Sequence, residues 1–576
     1  MGRPWARVWP QLPPELVLRI AGFLPGNDVA CGLRLVNKAA AELLSGPLHA
    51  TVRLSQPVPP PAFAHRWAAP DSARDLSYRQ RLQLLCLTAA SGVITNLQVA
   101  LAAAGCLPTR QVLDAAAAAG QLEVCEWLLL TGGCRADNGT LESAAAAGQR
   151  RACEWLLAAG HAAVTVKAAA AAARGGHLGL LRWLAEADPW GLLRQQQPLR
   201  RSQRLWVLVG AAEGCGLADL QALSREWQEF EPERGREEPA ALAAVAGQQG
   251  PEAAAAAGGA AGPAPVPPAD EAVLAVKVQL LAAAAGSLTP DWAAKVEWLE
   301  WLGCPRSALA CEAAAARPDG AERIAWLRRR GHPADATAAL AAARAGNLAA
   351  LQHLLAEGVP IPAAAAAWQA AKAGALAVLA WLVETPGVGA VALDAAVFGA
   401  AAASGDVGVM AWLRERGCSW AGAGDATFAR AAAGGSAVAL EWLAARGCEM
   451  GRNGEALYQA CARKDLATLG CLLRLGCPWG PPDGPGAVFV RASRLMARFG
   501  CGGPLLRWLL AAGCPADWRA AEAAVRRLHT DWPGKEEVLQ LLREEEEEER
   551  ARLASGGVRD VGAGGGGEGE GGADGL

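Results

Sequence analysis

A glycine, a tryptophan seven residues on and a second glycine five residues later recur along this chain, and no other feature limits its fold as much. Gly148, Trp155 and Gly160 stand at these offsets. So do Gly120/Trp127/Gly132, Gly405/Trp412/Gly417 and Gly435/Trp442/Gly447, with His353 in the tryptophan place between Gly346 and Gly358. Anchored on this position, Trp127, Trp155 and Trp183 are spaced 28 and 28. A second series, Trp298, Trp326, His353, Trp381, Trp412, Trp442, Cys471 and Trp508, has spacings of 28, 27, 28, 31, 30, 29 and 37. A drifting period of this size belongs to a solenoid whose unit is a pair of short helices.

Each unit has an internal grammar. An alanine run ends at the first glycine, as a helix ends at a C′ glycine, and a second helix runs to the second glycine. Alanine is the best helix former, and strand patterns are nearly absent. The chain is 52% hydrophobic, with 22 Trp against 7 Phe and 2 Tyr. Alanine on the first helix lets neighbours approach closely, while Trp and Leu on the second are expected to fill the space between layers. The fold class is therefore all-α.

Gly139–His161 reads GTLESAAAAGQRRACEWLLAAGH. It resembles an ankyrin repeat: Ala144 and Ala145 match the paired alanines, Gly148 the inter-helix glycine, Trp155-Leu156-Leu157 the leucine triplet and Gly160 the final glycine. The TPLH tetrad is reduced to G-T-L-E. The units are shorter than the usual 33 residues, so the hairpin between repeats is expected to shrink to a turn. The resemblance covers most of 79–545, in two blocks, 79–230 and 271–545. It implies an α-solenoid of ankyrin-like helix pairs that binds another protein.

The first 50 residues follow a different grammar. In Leu12–Leu44, Pro13-Pro14 and Glu15 suit a helix start. Leu16, Ile20, Phe23 and Leu24 share one helical face. Pro25-Gly26-Asn27-Asp28 is a turn, and Val29, Leu33 and Val36 begin a second amphipathic helix. Leu12, Pro13, Glu15, Leu16, Ile20, Leu24, Asp28, Leu33, Arg34, Leu35, Val36 and Lys38 match an F-box, and 1–50 is similar to that family. Ala40 stands where the family has Trp, and Gly22 lies inside the first helix. About 40 residues cannot bury a sufficient core alone. The resemblance implies that a Skp-type adaptor, and through it a cullin ligase, completes that core. Leu12, Pro13, Glu15, Leu16, Ile20, Phe23, Leu24, Leu33 and Val36 would be the adaptor-binding residues.

Three stretches fall outside both patterns. Residues 51–78 read as a Pro-rich linker. Glu231–Asp270, rich in Pro, Gly, Glu and Ala, is expected to be a disordered linker. The end of the chain, from about Glu544 and including 546–576, is acidic and then Gly-rich, and is expected to be solvated and unstructured.

Chemistry is sparse. Cys134, His161, Cys304, His332, Cys418, Cys448, Cys477 and Cys514 follow the second glycine of successive units. A metal site needs four converging ligands, usually supplied as close pairs, and these residues lie about one repeat apart, with Val359 in the same slot. Helices stacked roughly 8–10 Å apart exceed the roughly 7 Å limit for the Cα atoms of a disulfide. Packing is therefore the expected role, and neither metal nor cofactor is expected. The tryptophans are likewise expected to be core residues rather than a stacking platform. HExxH, GxSxG and the Walker A loop are absent, so no enzymatic activity is expected.

The formal net charge of -3 lacks the basic excess of a nucleic-acid-coating surface. No stretch of 18 uncharged apolar residues suggests a membrane span, and the start lacks the apolar region of a signal peptide and the Ser or Thr at position 6 that myristoylation needs. Cytoplasm or nucleus is the expected location, with the 16 cysteines reduced. The variable position six residues before the inter-helix turn, Asp114, Glu142, Trp368 and Tyr458, is the expected substrate-binding surface. The whole reads as a substrate receptor of an SCF-type ubiquitin ligase, or as an ankyrin scaffold without that role.

Overall fold

Alanine-rich and leucine-rich helices alternate along the computed structural model as the repeat grammar requires. It describes residues 12–131, 133–187, 201–227, 269–385, 391–420, 426–484, 486–499, 503–529 and 534–554. Among these there is no strand, and many consecutive helices pack in a row as an all-α solenoid. Five N-terminal helices, α1 (Pro14–Phe23), α2 (Gly26–Cys31), α3 (Lys38–Leu43), α4 (Pro47–Ala50) and α5 (Pro60–Trp67), precede the pairs. The first pair is α6 (Tyr78–Ala90) and α7 (Ile94–Ala104); the last is Trp518–Arg526 with Lys535–Ala554.

The turn between units explains the recurring Leu, Gly and Cys. In the unit ending at Cys448, the Cys448 N–H donates to the Leu443 carbonyl at 3.0 Å, across Gly447 at φ 75°. This is the six-to-one bond of a Schellman motif, in which the left-handed residue is glycine and the residue after it packs on the one bonded. Cys304/Leu299, His332/Leu327, Val359/Leu354, Cys418/Leu413, Cys477/Leu472 and Cys514/Leu509 repeat it at 2.9–3.1 Å. Both members of each pair are buried. The first helices close in the same way: Gln121 bonds Ala116, Gln149 bonds Ala144 and Asn347 bonds Ala342.

First helices lie closest to one another, because their facing residues are alanine and glycine. A Cβ on Gly210 would overlap the Ala170 carbonyl, and one on Gly214 the Arg174 carbonyl. Their C-terminal carbonyls, orphaned by helix geometry, are taken by buried or half-buried polar side chains from further along the chain. Asn347 Nδ2 donates to the Ala315 and Arg317 carbonyls at 3.2 and 2.6 Å. Arg323 donates to Ala285 and Ser287, and the fully buried Lys295 to Ala212, Cys215 and Ser287 Oγ. Burial pulls the Lys295 ammonium down to about 8.

Contacts divide the chain into two compact units. One comprises Met1–Thr140, Ala367–Leu379 and Val391–Leu576; the other comprises Leu141–Ala366 and Ala380–Ala390. The expected blocks, 79–230 and 271–545, do not coincide with them, because the first unit joins early and late repeats. Within it Arg81 of α6, 3% exposed, makes a two-pronged ion pair with Asp465, each contact 2.7 Å. Asp465 stands where Gln121 and Asn347 stand in their units. A carboxylate accepts but cannot donate, so Arg81 supplies the donor, bonding the Gly435 carbonyl at 2.7 Å as well as that of Ala104. Lys464, the non-glycine residue at this turn, has φ 56°. Its carbonyl takes the Leu107 N–H at 3.0 Å, and the Ala467 N–H bonds Gly105 at 2.9 Å.

Two sequence expectations change here. The stretch 51–78 is not a plain linker: α5 packs on α7, Phe63 is buried, and Asn96 Nδ2 holds the Val58 carbonyl at 2.8 Å. The acidic run is not unstructured either. Lys535–Ala554 is one helix, with Glu545 paired to Arg507 and Glu549 bonded to Trp518 Nε1. Val538, Leu539, Leu541 and Leu542 on its first turns are buried, which docks the helix and carries the glutamates with it. Glu231–Asp270 lies outside the described residues except for its last two, and so does 555–576 of the tail.

Breaking a buried pair on one side costs about 3–5 kcal/mol, because the other charge is left unpaired. Arg81→Met is therefore expected to speed amide exchange at Leu107 and Ala467, whose bonds cross this junction, on the order of a hundredfold. Unchanged protection at both amides contradicts the clamp.

Candidate docking surfaces

The N-terminal helices enclose a small core of Val17, Ala21, Val29, Leu33 and Leu44, with Leu12, Ile20 and Leu43 at its edge. Asn27, 1% exposed, ties the helices to the chain that follows. Its Oδ1 accepts the Arg53 N–H at 2.8 Å, and its Nδ2 donates to the carbonyls of Arg53, Gln56 and Pro57. The expected second amphipathic helix is divided. Gly32 ends α2, a single 3-10 turn spans Leu33–Leu35, and Asn37 caps α3 through the Ala40 N–H at 2.7 Å. Ala40 is buried; an alanine there lets the short α3 close onto the core.

The shared face of α1 points outward. Leu16, Phe23 and Leu24 are 43, 81 and 39% exposed, and Val17 and Ala21 take the core instead. Pro13, Glu15 and Val36 are exposed too, whereas Leu12 and Ile20 are half-buried. Leu33 is buried within the module's own core and lies off the exposed face. Sequence reasoning missed Leu18, Leu35, Leu48 and Val52, which extend the apolar surface. Their signal was present: α4 is one turn long and cannot cover Leu48.

Of the four expected substrate anchors, Asp114, Trp368 and Tyr458 belong to the first unit and Glu142 to the second. All four are half-buried. Asp114 accepts from Thr140 Oγ1 at 2.7 Å and pairs with Arg110; its carboxyl lies above the usual range because burial outweighs both partners. Lys372 sits 4.8 Å from the Trp368 ring centre, and Arg491 lies 3.6 Å from that of Tyr458. A polar groove of about 710 Å³ opens between α6 and the turns before Leu376, Val407 and Ala437. The helix ends around it are already capped by Ser77, Asp406 and Ser436.

The Cys/His slot holds packing residues. Among the described residues no three His, Cys, Asp or Glu side chains group as metal ligands, and every described cysteine is free. Burial lifts Cys418, Cys448 and Cys477 from the ordinary 9 to about 11. His161 differs: it is exposed and lies against the Trp155 ring at 5.6 Å between centres. The tryptophans depart from the expected core role. Those at the repeat position, such as Trp127, Trp155, Trp412 and Trp442, are half-buried, and the leucine after each is the buried residue. Arg330, Arg416 and Arg446 stack on Trp326, Trp412 and Trp442, four residues back on the helix, at 4.9, 3.9 and 4.1 Å. No helix of the described residues is long and apolar enough to cross a membrane.

No protein-family model matches the chain, and no curated protein matches it significantly.

A raised thiol favours the folded state only while it stays protonated. Its contribution is complete below about 9, where the unfolded thiol ionises, and is lost as pH rises through about 11. Melting temperature is expected to hold from pH 7 to 8.5 and to fall above 9. The slot cysteines are expected to resist iodoacetamide at pH 7.5 until denaturant is added. Rapid alkylation of the native protein, or melting on addition of a metal chelator, contradicts the packing role.

Proposed function

We propose that the chain is an adaptor-held receptor for a protein substrate: the N-terminal module docks on a Skp-type adaptor of a cullin ligase, and the solenoid binds the substrate. One observation carries this reading. Of the fifteen large apolar side chains exposed among the described residues, eight lie between Leu16 and Val52. A soluble monomer seldom leaves so much apolar surface on so short a stretch unless a partner covers it. The module's core of five buried residues is too small to be self-sufficient. A second helical protein laid across Leu16, Phe23, Leu35 and Leu48 supplies the missing side.

In this reading the chain performs no bond-making itself. It raises the effective concentration of substrate lysines near a ubiquitin-charged enzyme. The helix pairs suit that task, since each contacts chiefly its neighbours and leaves long faces open to a partner. The resemblance of Leu12–Lys38 to the F-box pattern points to the same partner.

The test is capture of purified Skp-type adaptor by the full-length protein. Phe23→Asp with Leu35→Asp places two charges on the face and none in the core, so folding should be retained while affinity falls at least roughly a hundredfold. Failure of the unmodified protein to bind adaptor leaves the scaffold without a ligase role.

A further inference from the structure

We propose that Tyr458, Arg491, Arg494 and Arg498 form a recognition pocket for one anionic side chain of a bound peptide. The pocket is about 210 Å³ and is completed by Leu495 and Leu528. The described residues that line it include three arginines and no acidic residue. The volume lies below the ~300–1,000 Å³ of ligand sites and suits a single side chain.

The helix Val488–Phe499 places Arg491, Arg494 and Arg498 at i, i+3 and i+7, on one face. Arg491 is fixed before any ligand arrives. Its guanidinium stacks on the Tyr458 ring at 3.6 Å, and its Nη2 donates to Glu455 Oε2 at 2.8 Å. The other oxygen of Glu455 takes Gln459 Nε2 at 2.7 Å, so that carboxylate is engaged on both sides. Arg494 and Arg498 stand exposed beside this anchored pair. Planar guanidinium forks match the oxygens of a phosphate or carboxylate in paired, charge-assisted bonds. The Leu495 and Leu528 walls give an apolar bed for the stem of the side chain that bears the anion.

A peptide is favoured over a nucleic acid by the surroundings. The chain has 54 basic against 57 acidic residues, and a nucleic-acid track would need a continuous basic excess. The pocket deepens the substrate-receptor reading and rests on it for the word substrate, but peptide capture needs no adaptor. Phosphoserine and glutamate offer the same chemistry here and differ in charge.

The experiment immobilises three degenerate peptide pools, with phosphoserine, glutamate or serine fixed at the centre, and passes full-length protein over each. Retention on the phosphoserine or glutamate pool is expected to exceed that on the serine pool at least roughly tenfold. The pool that wins names the source of the anion. Arg494→Glu with Arg498→Glu is expected to reduce retention to the serine level, with helicity and adaptor capture unchanged. Equal retention on all three pools, equal retention by the double variant, or displacement only by a single-stranded oligonucleotide overturns the pocket. Loss of adaptor capture in the unmodified protein, with pocket retention intact, would fail the receptor reading alone.

Discussion

The backbone bond from the residue after a unit's second glycine to a leucine five residues earlier is what the repeats depend on. It stops a helix, turns the chain, and presses a small side chain onto a buried leucine in one step. Only a residue at ease with positive φ can stand between them, which fixes glycine. The residue after it packs on that leucine in most units, so Cys, Val and the buried His332 share the slot, while His161 stays exposed there. A run of such turns, each closing one helix, makes the helix pair the unit of construction. Tight alanine contacts between first helices then follow, since each turn returns the chain at nearly the same place.

Turns alone leave carbonyls orphaned at each first helix, and the polar residues of the array answer that need. Arg323 and Lys295 are buried, and Asn347 half-buried, because carbonyls wait for them. At Asp465 the usual donor is replaced by an acceptor, and the shortfall is met by Arg81, 384 residues away in sequence. A local mismatch thus becomes the tie between early and late repeats within one compact unit. The same residue neutralises Asp465 and caps the helix before Gly435, so neither charge is left alone in the interior.

Much of this was legible in the chain. The glycine period gave the helix pairs and their ends, because backbone preference at φ > 0 is local and strong. The packing role of the cysteines also followed from spacing. What escaped was non-local. Nothing near Arg81 announces Asp465, since a long-range ion pair leaves no periodic trace. The tryptophans were misplaced by one residue: Trp155 and Leu156 are both apolar, and the smaller one takes the core while the larger lies at its margin. In the N-terminal module the pattern set Leu16, Phe23 and Leu24 on one face turned to a partner, and they are exposed, but it set Leu33 with them, and Leu33 lies in the module's own core. The pocket at Tyr458 was half visible: the tyrosine stood out by its position, and its arginines belong to the next unit's first helix.

That outward face joins structure to the proposed role. An apolar surface on a module with a five-residue core calls for a partner that covers it. The most direct measurement is amide hydrogen exchange across the full-length chain, with and without a Skp-type adaptor. The account predicts new protection confined to α1, the Leu33–Leu35 turn and α4, with the repeats unchanged. Protection that appears only in the repeats, or nowhere, would contradict it.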